Sequence, residues 1–173
     1  MIKSEQSKVI KKSGKEFIRE YLIDKIEKLK DTEPYIAFLM MSIGIEFLGK
    51  CLNDKHDWDV SNMSESDFNL AIGRLKSLNK YQSWDLYHKL RCGLAHTMMV
   101  KSGLEIKDKG ASTSTCVSCE EFYNDFKAAC EEVMNMSLPV KNLDADYLVI
   151  KEEDGAFATG STATTYSIKK QVK

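Results

Sequence analysis

The chain has 173 residues, of which 43% are hydrophobic and 29% charged, and its formal net charge is −1 at pH 7. This composition is too apolar for a disordered chain, and the balanced charge excludes a global field that would hold the protein on nucleic acid or on an anionic membrane. Any RNA binding must therefore come from a local patch. The first thirty residues carry nine Lys or Arg against five Asp or Glu, a weak patch that is more typical of a solvated helix face than of a nucleic-acid arm.

The length suits one domain over residues 1–173, with appendages, rather than two domains. The amino terminus lacks the apolar stretch of a secretory signal, and no apolar run is long enough to span a bilayer. We therefore expect a soluble, cytoplasmic protein with no membrane partner. The five cysteines are odd in number and lie mostly in helical patterns, which indicates reduced thiols rather than a secreted disulfide framework.

Hydrophobic periodicity predicts five helices, of which the first three precede residue 80. Ser13 and Glu16 form a capping box ahead of an amphipathic first helix. The second helix begins near Pro34 and is apolar nearly all round, as expected of the central helix of a bundle. The third helix restarts near Ser64, which together with Asp67 is expected to cap it.

The fourth helix is predicted from near Ser83, and the fifth follows a second capping box at Ser118 and Glu121. Between them, residues 98–106 are typical of two short strands around a tight turn. Alternating residues near the carboxyl terminus, from 147 to 168, predict a hairpin that pairs with those strands.

These elements predict a mainly α fold. We expect an antiparallel helical bundle of about five helices over residues 13–136. A small C-terminal antiparallel β segment is expected over residues 146–170.

A helical wheel at about 100° per residue divides the fourth helix into two sides. The core side carries Leu86, Tyr87, Leu90 and Leu94. The opposite side carries Trp84, His88, Cys92, Ala95 and His96, with Arg91 at its edge. Aromatic residues are enriched in the buried centres of interfaces, and small residues let helices approach closely. We therefore expect a symmetric homodimer packed along this helix, with Trp84, Cys92 and Ala95 at its interface.

Arg91 and His96 are the residues in this helix best suited to chemistry. A guanidinium binds a phosphate through two parallel hydrogen bonds, and an imidazole exchanges a proton near neutral pH, so the pair suits phosphodiester chemistry without a metal. On a straight helix, residues five apart differ by about 140° and lie about 7.5 Å apart along the axis. Three arrangements would bring such side chains together: a bend at Gly93, a position of His96 beyond the helix end, or two copies meeting across a dimer axis.

Glu46 is the next candidate, because a carboxylate within the apolar second helix is costly to bury without a partner. Arg91 is the partner that we expect, and exposure of Glu46 on an imperfectly buried helix is the alternative. His88 lies one turn before Arg91 and could assist it, although a histidine there is more often a surface residue without a role.

The segment Arg91-Cys-Gly-Leu-Ala-His96, late in a helical bundle and preceded by an apolar helix with an embedded acid, resembles the HEPN (higher eukaryotes and prokaryotes nucleotide-binding) superfamily. This resemblance implies a compact antiparallel bundle, commonly dimeric, with the Arg and His motifs of two protomers in one cleft. Many members are metal-independent endoribonucleases in toxin–antitoxin and antiphage defence systems. Possible partners are thus an RNA substrate and an antitoxin or other protein.

The resemblance also implies a mechanism, in which the ribose 2′-hydroxyl attacks the adjacent phosphate and leaves a cyclic phosphate. Arg91 would bind the phosphate, and His96 would move a proton. Family ribonucleases often have a polar residue directly after the Arg, where this chain has Cys92. The alternative is an inactive HEPN-like module that binds nucleotide, RNA or a protein through the same cleft. A third hypothesis is a structural adaptor whose β tail recruits another chain through an exposed sheet edge. Without a functional role, Arg91 would form a salt bridge to Glu46 and His96 would cap a helix end.

Two weaker patterns point to metal or redox chemistry. Cys116 and Cys119 have the spacing of a redox motif, but no apolar strand precedes them and no second ligand pair accompanies them. Asp57 and Asp59, near His56, are more typical of a solvated acidic loop than of a cation site. We expect no cofactor and no metal, since the chain has neither a phosphate-binding Gly-rich loop nor a zinc-protease motif.

Overall fold

The computed structural model of the protein describes residues 9–54, 62–136, 143 and 146–150. Five helices make up most of this part, which confirms the mainly α prediction. Helix α1 consists of three consecutive pieces, Gly14–Phe17, a π-helical stretch Ile18–Asp24, and Lys25–Thr32. The second and third helices are α2, Pro34–Leu52, and α3, Ser64–Arg74. Helix α4 combines a π-helical stretch, Tyr87–Cys92, with Gly93–Thr97, and α5 is Cys119–Met134.

Capping chemistry accounts for the start of two of these helices. The Ser13 hydroxyl accepts a hydrogen bond from the backbone N–H of Glu16 at 3.2 Å, and the Glu16 carboxylate accepts one from the N–H of Ser13 at 2.7 Å, so the predicted capping box is present. Ser118 similarly accepts from the N–H of Glu121 at 3.4 Å.

The predicted cap of α3 is wrong. Met63 is the N-cap residue and makes no side-chain capping bond, and Ser64 is already in the first turn. Asp67 is fully buried. Its carboxylate accepts a hydrogen bond from Asn53 Nδ2 at 2.8 Å. This bond offsets the cost of burying the carboxylate, so Asp67 serves the interior and not the helix end.

Helix α2 is the centre of the molecule, as its nearly uniform apolar surface predicts. It packs against α1, α3, α4 and α5, and its buried residues belong to one hydrophobic cluster with those of the other helices. Within the described residues, Pro34–Leu52 is the one helix with the length and hydropathy of a membrane span, so the expectation that no apolar run is long enough is wrong. Most of this helix is buried inside the fold. This burial is consistent with the core helix of a soluble protein.

Four short strands complete the described part: β1, Val9–Ser13; β2, Glu105–Lys107; β3, Cys116–Ser118; and β4, Asp146–Ile150. β2 pairs with β3 in parallel, so the antiparallel hairpin predicted over residues 98–106 is wrong. The polar loop between these strands ends in a tight turn, in which Thr113 and Cys116 exchange backbone hydrogen bonds. After this turn, β3 runs in the same direction as β2.

The carboxyl-terminal strand does not join the strands after His96, contrary to the prediction. β4 pairs with β1 instead, in antiparallel register from Val9 opposite Ile150 to Ser13 opposite Asp146. The second strand of the predicted terminal hairpin lies outside the described residues.

The chain reverses sharply after α4 and folds back on it. Met98 has a left-handed backbone, with φ of 55°, and the N–H of Lys101 donates to the carbonyl of Lys89 at 3.0 Å. Gly93 permits this close approach, since a Cβ at this position would lie 2.4 Å from the carbonyl oxygen of Met99. The glycine therefore fixes where the segment after α4 can lie.

We predict that Gly93→Ala destabilises the protein by about 1–3 kcal/mol, the usual cost of forcing a methyl group into a packed site. The matched control is Gly73→Ala in α3, where the nearest atom to an added Cβ is Gln82 Nε2 at 3.9 Å. That substitution should be neutral or stabilise by up to about 1 kcal/mol, because alanine favours helix. Urea denaturation followed by circular dichroism measures both, and equal effects of the two substitutions would contradict this account.

Candidate functional site

The candidate site lies on α4, and the predicted core face of this helix is correct. Leu86, Leu90 and Leu94 are buried, and Tyr87 packs against the hydrophobic core. The opposite side of α4 exposes His88, Ala95 and His96 and partly exposes Cys92.

Trp84 differs from the free interface residue expected from the sequence. It lies before α4 and packs against the core, with its ring edge-on to that of Tyr81 at a centroid distance of 4.9 Å. Of the predicted interface residues, only Cys92 and Ala95 therefore lie on α4 itself.

Arg91 reaches across from α4 to the acid embedded in α2. Its Nε and Nη2 atoms lie 3.1 Å and 2.7 Å from the same carboxylate oxygen, Oε2 of Glu46. The expected partnership of Glu46 with Arg91 is thus confirmed, and the alternative of an exposed Glu46 is wrong, since Glu46 is a buried residue. The Arg91 guanidinium also lies 5.8 Å from the centroid of the Tyr87 ring, within the range of a cation–π contact.

Lys50 completes the charge balance around the buried carboxylate. Its Nζ lies 3.9 Å from the second oxygen, Oε1, of Glu46, one helical turn away on α2. Two cations thus face one carboxylate, which offsets the cost of removing Glu46 from water and leaves net positive charge at this point of the surface.

The ion pair with Glu46 uses only some of the hydrogen-bond donors of the Arg91 guanidinium. A guanidinium has five N–H donors, and the bonds to Glu46 engage Nε and Nη2. Within the described residues no acceptor contacts Nη1, and the Arg91 side chain keeps 17% of its surface exposed. Arg91 is therefore held in place by Glu46 and keeps donors that Glu46 does not use.

His96 lies in the last turn of α4. The arrangement in which His96 lies beyond the helix end is therefore wrong. Thr97 is the final helical residue, and the left-handed Met98 follows it. The imidazole is exposed, and it makes no side-chain hydrogen bond or ion pair with the described residues. It is therefore free to contact a ligand or a second protomer.

The change of helix type bears on the spacing of the two residues. Arg91 lies in the π-helical stretch, and the α-helical stretch begins at Gly93. A π-helix has a wider turn, with hydrogen bonds between residues five apart. Arg91 and His96 consequently differ less in direction than a uniform α-helix predicts.

His88 is engaged elsewhere. Its Nδ1 lies 2.8 Å from Asp85 Oδ1 and its Nε2 lies 3.6 Å from Glu65 Oε1, so the imidazole joins the start of α4 to the first turn of α3. The structure does not bring His88 together with Arg91 or Glu46 through any hydrogen bond or ion pair of the described residues. We therefore give His88 a structural role.

Cys119, one of the two cysteines with redox-motif spacing, is a buried thiol. Burial raises the pKa of the Cys119 thiol to about 11, the opposite of what a reactive thiol needs. No group of three or more potential ligands suited to a metal ion is present among the residues that the structure describes. The acidic loop with His56, Asp57 and Asp59 lies outside those residues.

Sequence reasoning missed two contacts that position the site. Lys50 was not identified, although its spacing of four residues from Glu46 on a helix is a signal for pairing. The second contact is the hydroxyl of Tyr35, which donates a hydrogen bond to the carbonyl of Met98. Because Tyr35 lies near the start of α2 and Met98 follows the end of α4, while Glu46 binds Arg91 further along α2, the two helices run in opposite directions here.

Comparisons with known proteins do not assign the chain to a family. It matches no protein-family model, and no curated protein or solved structure matches it either. The arrangement of Arg91, Glu46, Lys50 and His96 is therefore the main indication of function.

We predict that the Glu46–Arg91 pair stabilises the fold measurably. Glu46→Ala and Arg91→Ala should each lower the free energy of unfolding by about 1.5–3 kcal/mol, the usual worth of hydrogen bonds between charged groups. The double variant should lose less than the sum, because the second substitution removes a charge that the first has left unpaired. Urea denaturation of the four proteins gives the coupling energy.

The matched control for this cycle is Asp31→Ala, which removes the exposed carboxylate that Lys30 binds at 3.0 Å. A change within about 0.5 kcal/mol is expected there. Strictly additive losses in the Glu46 and Arg91 cycle would contradict the pairing.

Proposed function

We propose that the protein is a metal-independent endoribonuclease of the HEPN type. It has an antiparallel helical bundle, is a cytoplasmic homodimer, and acts in a toxin–antitoxin or antiphage defence system. The observation that carries this proposal is the Arg91 guanidinium, which Glu46 holds through Nε and Nη2 while the side chain stays partly exposed, with an exposed His96 on the same helix.

In the proposed reaction the ribose 2′-oxygen forms a bond to the adjacent phosphorus, and the bond from phosphorus to the 5′-oxygen breaks. The products are a 2′,3′-cyclic phosphate and a 5′-hydroxyl. Arg91 donates its free N–H groups to the phosphate oxygens, whose negative charge grows in the transition state. One imidazole removes the proton of the 2′-hydroxyl, and protonation of the 5′-oxygen completes the balance. His96 carries one of these proton transfers.

A second protomer supplies the remaining groups in this proposal. On one side of α4, Cys92 and Ala95 have small side chains that are at least partly exposed. Two copies of the helix can therefore approach closely along this side. Met98 and Met99, which are 55% and 65% exposed, add apolar surface just after the helix. Packing along this side places two Arg91 and two His96 residues in one cleft.

The alternative is an inactive HEPN-like module that binds nucleotide, RNA or a protein such as an antitoxin through the same cleft. The ion pair itself supports this alternative, because a purely structural Arg91 would be bound to Glu46 in the same way. Cys92, which supplies no strong hydrogen-bonding group beside Arg91, also favours it. Binding without cleavage separates this function from the enzyme.

The proposed activity predicts cleavage of labelled single-stranded RNA in the presence of EDTA. Arg91→Ala and His96→Ala should each slow cleavage by about 100-fold or more, the usual loss on removing a charge-stabilising donor or a proton-transfer group. The matched control is His88→Ala, an exposed histidine on the same helix, which should keep most of the activity. Cutting that is unchanged in both Arg91→Ala and His96→Ala would show that another nuclease is responsible.

The dimer is tested by sedimentation of the purified protein at micromolar concentration. Wild type should sediment as a dimer, and Ala95→Glu should sediment as a monomer because a charge would be buried at the contact of the two helices. Ala95→Ser, which keeps the residue small, should remain dimeric. A monomeric wild-type protein would refute the composite cleft.

A further inference from the structure

Three aromatic rings meet at a partly exposed surface formed by α1 and α2. Phe17 and Tyr21 stack with centroids 5.0 Å apart and an interplanar angle of 19°. Phe47 of α2 joins them, with its centroid 5.3 Å from that of Phe17. All three residues are only partly buried. Phe17 and Phe47 also pack against the hydrophobic core, whereas Tyr21 does not. The exposed part of an aromatic ring can stack against a flat ligand.

Lysine ammonium groups lie over the Tyr21 ring of this surface. Lys25 Nζ is 4.0 Å from the ring centroid and Lys12 Nζ is 5.5 Å away. Lys12 also forms an ion pair with Glu20, whereas Lys25 is exposed and has no carboxylate within ion-pair distance among the described residues. The cation–π contact of Lys25 is therefore one that a ligand can replace.

The aromatic cluster shares helix α2 with the ion pair of Arg91. Phe47 directly follows Glu46, and Lys50 lies one turn further along α2. The Glu46 carboxylate contacts Lys50 through one oxygen and Arg91 through the other, at 3.9 Å and 2.7 Å. Phe47 and Lys50 therefore lie on α2 between the aromatic cluster and the Arg91 ion pair.

We propose that Phe17, Tyr21, Phe47, Lys25 and Lys50 form an aromatic–lysine platform that binds single-stranded RNA and leads it to Arg91. Unpaired bases stack on aromatic side chains, and neighbouring cations bind the phosphates. A base that stacks on Tyr21 displaces the Lys25 ammonium, which then binds the adjacent phosphate. A duplex keeps its bases stacked on each other and cannot use the rings. The identity of the ligand rests on the proposed ribonuclease function.

The platform is tested by fluorescence anisotropy with a labelled RNA 12-mer whose 2′-hydroxyls are methylated. This probe lacks the nucleophile of the proposed reaction, so binding is measured on the active protein. Tyr21→Ala should weaken binding about 5- to 150-fold, the loss that corresponds to one stacked base. Tyr21→Phe retains the ring and should bind within about twofold of wild type. Tyr21 is not a member of the hydrophobic core cluster, and circular dichroism confirms that each variant is folded.

The charge component is tested by the dependence of the dissociation constant on salt. The logarithm of the binding constant falls linearly with the logarithm of the salt concentration. Lys25→Gln should make this slope less steep by about 0.7, the value for one lost phosphate contact on a single strand. Lys109→Gln removes the same charge from an exposed residue in the loop after β2 and should leave the slope unchanged.

Two results would overturn the platform: Tyr21→Ala that binds the 12-mer as tightly as wild type, or wild type that binds the corresponding duplex as tightly as the single strand. The proposed chemistry fails separately. If wild type binds the methylated strand through Tyr21 but does not cleave unmodified RNA, the platform stands and the protein is the inactive module. If cleavage depends on Arg91 while Tyr21→Ala binds normally, the enzyme stands and the platform is refuted.

Discussion

The ion pair between Glu46 and Arg91 is the interaction on which the rest of the site depends. It joins the central helix α2 to α4, and it holds the Arg91 guanidinium through two hydrogen bonds. A carboxylate within an apolar helix is tolerated only because Arg91 and Lys50 both face it. The same contact that stabilises the fold therefore also positions the group that the proposed reaction requires.

The end of α4 serves the site in a similar way. Gly93 lets the following segment lie against the helix, and the Tyr35 hydroxyl holds the carbonyl of the left-handed Met98. The helix thus ends just after His96 and leaves its imidazole exposed. Packing of α4 determines the placement of both Arg91 and His96, so substitutions that shift this helix should affect the proposed activity even when they lie outside the proposed cleft.

The sequence predicted the features that depend on local chemistry and periodicity. Capping boxes located α1 and α5, the apolar surface of α2 identified the central helix, and the cost of burying Glu46 identified Arg91 as its partner. Predictions failed where tertiary contacts decide. Asp67 became a buried acceptor for Asn53, and β4 found a partner at the other end of the chain, because strand pairing depends on which segments the fold brings together. The π-helical turn at Arg91 left no signal in the hydrophobic pattern.

A crystal structure with a 2′-O-methylated RNA strand tests the central claim most directly. We expect a phosphate oxygen on the free edge of Arg91, with Nε still bound to Glu46 and with the His96 imidazole of one protomer beside the same phosphate. A strand bound on another face of the protein would contradict this account, as would an Arg91 that is completely covered in every assembly.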